Sequence, residues 1–303
     1  MNISLKGIIP PMITPLAGED ELDVKGLERL IEFIINGRVH GVFILGTTGE
    51  GPSLSYKLRY ELVEKSCKQI AKRIPVLVGI TDTAFVESVK LANFAKKCGA
   101  DAVVLAPPYY FHAGQEELKE YIADIVKEIN LPLYLYNMPS HTKLMLEPET
   151  IQFASGLKGV CGIKDSSGDM NYFHTIKHKL RNKKDFAFFI GPEEMLAEAL
   201  FAGADGGVNG GANFCPELYV NIYNAAQTGD WNKVRELHKR VIEISSSIYT
   251  VGRFGSSYLK GVKCALSLLG ICNDTLAEPF HSFKSPEREK IKTNLQRLGI
   301  LNN

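Results

Sequence analysis

The chain has 303 residues, 45% of them hydrophobic and 23% charged, enough apolar material for a large core in one big domain or two modest ones. The 35 Lys and Arg stand against 34 Asp and Glu, a formal net charge of +1, so no global field exists to gather nucleic acid or coat an anionic membrane, and a small ligand is expected. Residues 1–7 lack the apolar core of a signal peptide, no apolar run approaches the roughly 20 residues of a spanning helix, and six cysteines without a Cys-x-x-Cys suit buried thiols in a reducing compartment, so a cytoplasmic location is expected.

In chain order, residues 5–14 open with a strand ending in Pro10-Pro11, and Asp23 caps a helix whose apolar residues recur at helical spacing over 24–34. The unit then repeats: strands at 41–45, 76–80 and 102–106, each followed by a helix, at 56–72, 86–97 and 116–128. Strands at 133–136, 159–164, 186–190 and 206–208 continue the series with helical stretches between them. Strand and helix in alternation, with Gly41, Gly99 and Gly159 ahead of strands, predict parallel strands joined by helical crossovers. About eight such units in the first 230 residues predict a closed (β/α)8 barrel. Helices predicted at 233–250, 256–269 and 286–298, with no linker before them, make 231–303 a helical cap continuous with the 1–230 barrel.

The sixth strand carries the least expected residue. Its apolar run reads as buried on both faces, yet it ends in Lys164. A lysine there either reaches water and pairs with Asp165 or Asp169, or sits in an apolar pocket that leaves a fraction as free amine, a nucleophile toward carbonyls. In such a barrel the site lies at the carboxyl ends of the strands. The second strand ends in Gly46-Thr47-Thr48-Gly49-Glu50-Gly51, hydroxyls and backbone N–H groups suited to a carboxylate or phosphate, or simply a capped glycine turn. The fourth ends in Pro107-Pro108-Tyr109-Tyr110-Phe111, where Tyr109 and Phe111 read as lids on the core; the fifth ends in Tyr136-Asn137-Met138-Pro139-Ser140-His141, where the Tyr136 phenol could relay protons for an amine adding to a carbonyl. His174 and His178 have the i, i+4 spacing of a metal pair but lack a third ligand, so no metal is expected.

Gly46-Thr47-Thr48-Gly49-Glu50, Tyr136-Asn137-x-Pro139 and Gly162-Ile163-Lys164-Asp165, in this order, resemble the dihydrodipicolinate synthase and N-acetylneuraminate lyase family of class I aldolases, a similarity extending from Gly7 to about Gly270. The resemblance implies Lys164 as the Schiff-base lysine, Tyr136 as proton shuttle, and Thr47 and Thr48 as the cradle for the carboxylate of a 2-oxo acid such as pyruvate. It implies Tyr110 as the tyrosine inserted into a neighbouring subunit's site, a homotetramer built as a dimer of dimers, and no cofactor beyond the covalent imine.

Synthases of this family that make the lysine precursor place an arginine after Tyr-Asn-x-Pro-x, where this chain has His141; a neutral imidazole does not replace a bidentate guanidinium. The sialate lyase branch places an acidic pair after the seventh strand, and Gly191-Pro192-Glu193-Glu194 stands there, suited to hydroxyls of a sugar acid or else only complementing a helix dipole. Val208 and Asn209 with Gly210-Gly211 complete the candidate substrate residues, although the glycines would also suit a phosphate loop. The expected activity is cleavage or formation of the C3–C4 bond of a 2-keto-3-deoxy sugar acid or sialic acid. Condensation of pyruvate with aspartate semialdehyde, a related dehydratase, and a non-catalytic 2-oxo-acid-binding barrel are the alternatives.

Overall fold

The computed structural model describes residues 5–302. Residues 1–4, which carry part of the signal-peptide reading, and residue 303, the end of the predicted cap, lie outside the described residues.

Strand β1 (Gly7–Ile8) is followed by an antiparallel hairpin, β2 (Leu16–Gly18) with β3 (Glu21–Leu22), that sequence reading missed because strands this short carry no readable alternation. The other strands are β4 (Val42–Ile44), β5 (Val76–Gly79), β6 (Ala102–Leu105), β7 (Leu133–Asn137), β8 (Val160–Asp165), β9 (Ala187–Ile190) and β10 (Gly206–Gly207). They pair in parallel in the order β1-β10-β9-β8-β7-β6-β5-β4. The ends of the row meet where Pro11 bridges to Phe43: the Met12 amide donates to the Phe43 carbonyl at 2.8 Å and the Phe43 amide to Pro10 at 3.0 Å. The sheet thereby closes into the predicted barrel.

The outer helices follow the predicted apolar stripes. In order they are α1 (Val24–Asn36), α2 (Tyr56–Ile70), α3 (Phe85–Cys98), α4 (Gln115–Glu128), α5 (Pro139–Thr142), α6 (Pro148–Ala154), α7 (Met170–Lys179), α8 (Leu196–Phe201) and α9 (Pro216–Gln227). Asp23 caps α1 as expected, its carboxylate accepting from the Gly26 amide at 2.8 Å. Beyond them lie α10 (Trp231–Ile244), α11 (Ser257–Leu268) and α12 (Ser285–Arg297). The single helix expected over 233–250 is two structures, because after Ile244 the chain widens into a π turn over Ser245–Tyr249. In this serine run the Ser246 hydroxyl donates to the Ile242 carbonyl at 2.7 Å, a local bond of the kind that competes with a regular ladder.

Two cores result. Leu133, Leu135 and Ile163 point outward into the layer shared with the helices, while Phe43, Leu77, Val104, Tyr134, Tyr136 and Phe189 fill the barrel. On β8 the alternation is broken by a bulge. Leu133 pairs with Val160 but Tyr134 pairs with Gly162, so Cys161 is the extra residue, and beyond it Tyr136 lies level with Lys164. One residue of offset exchanges the two faces of a strand, so the bulge turns Lys164 inward instead of toward the helices. Gly162 allows it: a methyl group there would press on the Tyr134 ring.

Among the described residues no helix is long and apolar enough to cross a membrane. No three His, Cys, Asp or Glu side chains among them converge as a metal-holding group; His174 and His178 are exposed on α7, and no disulfide joins the six cysteines.

Candidate active site

At the carboxyl ends of the barrel strands a cavity of about 610 Å³ opens, of a size suited to a small organic ligand. Lys164 lies in its wall and is only 7% exposed. Its Nζ stands 4.2 Å from the centroid of the Tyr136 ring and 5.3 Å from that of Phe43. The ion-pair reading of Lys164 fails, because both neighbouring carboxylates are engaged elsewhere. Asp165 is fully buried on the other face of β8, accepting from Asn137 Nδ2 at 2.9 Å and from the Ser167 amide and hydroxyl. Burial pushes its pKa up, against those hydrogen bonds. Asp169 caps α7. Asn137 Oδ1 in turn accepts from the Leu146 amide at 3.1 Å, so Asn137 and Asp165 clamp β7 and β8 in the register that sets Tyr136 beside Lys164.

The turn after β4 is held by backbone in an uncommon conformation, with Leu45 at φ 59° and Glu50 at φ 56°. The Thr14 hydroxyl donates to the Gly49 carbonyl at 2.6 Å, and Arg59, paired with Asp82 at 2.8 Å, donates to the Leu54 and Pro52 carbonyls. This scaffold presents two hydroxyls. Thr47 Oγ1 shares a hydrogen bond with the Tyr136 hydroxyl at 3.2 Å, and Thr48 Oγ1 shares one with the Tyr258 hydroxyl at 3.1 Å. Lys164, Tyr136, Thr47 and Thr48, inferred from three separate motifs, thus line one cavity.

The remaining candidates divide. His141 lines the cavity from α5, its Nδ1 sharing a hydrogen bond with the Ser140 hydroxyl at 3.0 Å, and its pKa is lowered by burial and by the nearby Lys143 and Lys164 ammonium groups. Gly191, Val208 and Glu194 also line it; Glu194 accepts from the Ser245 hydroxyl. Glu193 departs from its expected part. It is 3% exposed, and its carboxylate accepts from the Gly211 amide at 2.9 Å, from the Tyr249 hydroxyl at 2.8 Å and from the Tyr219 hydroxyl, so it is committed to the wall rather than held out for a ligand's hydroxyls. Asn209 is also displaced from its expected part. Fully buried behind the cavity, it donates to the Gly191 carbonyl at 3.0 Å and ties β9 to β10. Gly210 leaves room for the Tyr258 hydroxyl, which a methyl group there would overlap.

Tyr109 lines the cavity, but Phe111 is no lid on the core: it is 80% exposed and touches the 74% exposed Tyr110 edge to face, because their loop projects off the barrel end. Sequence reading missed Tyr249 and Tyr258. An aromatic residue at helical spacing reads as core, and both come from the cap.

The profile of the dihydrodipicolinate synthetase family matches residues 4–298. A dihydrodipicolinate synthase structure from Bacteroides thetaiotaomicron is 56% identical over 98% of this chain and 100% of its own, with a TM-score of 0.95. A prophage protein of the dihydrodipicolinic acid synthase family from Escherichia coli, solved in complex with pyruvate, is 28% identical over 99% of this chain and 100% of its own, with a TM-score of 0.93. A probable 2-dehydro-3-deoxy-D-pentonate aldolase of Escherichia coli is 32% identical over 97% of this chain and 98% of its own.

Proposed function

The chain belongs to the dihydrodipicolinate synthetase family, whose members are lyase- and aldolase-type enzymes, and on that premise we propose that it cleaves or forms the C3–C4 bond of a 2-keto-3-deoxy sugar acid or sialic acid through an imine on Lys164. The observation that carries the reading is a buried lysine without a carboxylate partner among the described residues, set over a tyrosine ring whose hydroxyl is bonded to Thr47. Lys164 Nζ adds to the C2 carbonyl, and the carbinolamine expels water to give a protonated imine, with Tyr136 passing the protons and Thr47 holding its hydroxyl in place. The C4 hydroxyl then gives up its proton, C4 leaves as an aldehyde, and the electron pair of the C3–C4 bond moves into the enamine. Protonation at C3 and hydrolysis release pyruvate and return the amine. The iminium supplies the electron sink, so the sequence of steps needs no metal. Thr47 and Thr48 cradle the keto-acid carboxylate.

The aldehyde portion is the finer question. Among the described residues Lys164 is the cavity's only Lys or Arg, and His141 stands where a gripping arginine would be. A neutral imidazole in a cavity also lined by Thr142, Ser166, Ser256 and Glu194 suits hydroxyls better than a second carboxylate. The competing reading, condensation of pyruvate with aspartate semialdehyde, is favoured by the name of the 56% identical relative. A screen for pyruvate release decides: 2-keto-3-deoxy acids and N-acetylneuraminate should include a substrate, and efficient turnover of aspartate semialdehyde instead would overturn the lyase assignment.

Tyr110 belongs to the same proposal. Its ring does not line the cavity that holds Thr47 and is exposed beside Phe111, as a residue entering a second copy's site in a homotetramer would be. Sedimentation should give four copies, and Tyr110→Asp should shift the distribution to smaller species; a wild-type monomer with full activity would refute it.

A further inference from the structure

The buried carboxylate of Glu193 calls for an explanation, because among the described residues no cation offsets it. Three donors meet it from three elements: the Gly211 amide from the turn after β10, Tyr219 from α9 and Tyr249 from the π turn. The other charge acting on it is Glu194, which repels it, and Cys215 and Tyr258 are further titratable groups around it. Burial raises its pKa to about 7. An apolar side chain would fill this place at less cost, so what the carboxylate contributes is orientation.

The path it sets leads into the site. Tyr249 lines the cavity and packs edge to face on Tyr258 with ring centroids 4.8 Å apart, and the Tyr258 hydroxyl bonds Thr48. Thr48 is adjacent to Thr47, whose hydroxyl meets Tyr136. We propose that Glu193 is a positioning residue: it aims Tyr249, and through it Tyr258, at Thr48, so that the C-terminal helices complete the keto-acid carboxylate site of the barrel. The inference rests on the Schiff-base reading above, with Thr48 as a carboxylate ligand.

The ionised carboxylate accepts all three donors. Once protonated it must itself donate, so one donor, a tyrosine hydroxyl or the amide, loses its acceptor. Glu193→Gln imitates that state at every pH, since its amide nitrogen cannot accept from Tyr249 or Gly211. The measurement is the pyruvate concentration that gives half-maximal borohydride trapping on Lys164, with thermal unfolding as a check on folding. Glu193→Gln and Tyr249→Phe should each raise that concentration about tenfold at about pH 8, the effect of one charge-assisted hydrogen bond, and the double variant should be no worse than either single one. The gap between wild type and Glu193→Gln should close as pH falls through about 7, where the wild-type carboxyl takes up its proton.

Wild-type half-saturation in folded Glu193→Gln, or in Tyr249→Phe should Glu193→Gln not fold, overturns the proposal, as do single effects that multiply in the double variant. No adduct on the wild type overturns the aldolase reading and this inference together, whereas equal trapping by wild type and both variants overturns the inference alone.

Discussion

Lys164→Ala should lose the pyruvate adduct and reduce turnover on the order of 10⁴-fold or more, because the side chain that forms the covalent intermediate has no substitute in the cavity. After borohydride reduction, peptide mass spectrometry of the wild type should find the adduct on Lys164 and nowhere else. Lys164→Arg separates nucleophile from charge: it keeps a cation over the Tyr136 ring but offers no amine at neutral pH, and should be as inactive as the alanine variant. Tyr136→Phe should still form the adduct, at a rate lower by about a hundredfold, the usual worth of a positioned proton carrier. An adduct on another lysine, or substantial turnover by Lys164→Ala, would end the mechanism while leaving the barrel untouched.

Lys263→Met should destabilise the protein by about 3–5 kcal/mol, the usual penalty when one member of a buried ion pair is removed. Lys263 on α11 is fully buried, paired with the 3% exposed Glu50, and donates to the Thr275 carbonyl at 2.6 Å; Glu50 Oε2 accepts from the Ala277 amide at 2.8 Å. These contacts fasten the cap to the turn that carries Thr47 and Thr48. Removing Lys263 leaves the buried Glu50 carboxylate without its cation. A thermal transition lower by roughly 10 °C is expected. Pyruvate binding should also weaken, since the turn loses its tie. Glu50→Leu combined with Lys263→Met should recover much of the stability, because an apolar pair leaves no charge stranded. A loss under about 1 kcal/mol in the single variant would show that water reaches the pair and that the cap is held by its apolar contacts alone.

The Gly-Thr-Thr-Gly-Glu motif illustrates how much of such a feature is readable in advance. Hydroxyl chemistry at a strand end leaves its threonines open between an anion site and a capped glycine turn, the family resemblance implies a carboxylate cradle, and both threonines line the cavity. The part of Glu50 was not legible, since its partner lies 213 residues away on α11. Glu193 shows the converse. An acidic residue opening a helical turn after a strand invites a ligand-binding or dipole reading, and only three donors arriving from distant segments reveal it as part of the wall. Asn209 and Phe111 were misjudged for a related reason, because local sequence does not state whether a loop turns behind the cavity or projects from the barrel end.

By itself the sequence determined the alternation of strand and helix, the closed parallel barrel, the chemistry of the strand ends, and the candidacy of Lys164 and Tyr136. Those features follow from side-chain periodicity and residue type, which act over a few residues. Tertiary structure alone decided that the bulge at Cys161 turns Lys164 inward, that Asn137 and Asp165 lock its register beside Tyr136, and that Tyr258 meets Thr48 while Lys263 pairs with Glu50. The reason is physical: a face exchanged by one residue, or a hydrogen bond spanning two hundred, depends on packing between segments that leaves no trace in the local pattern of either.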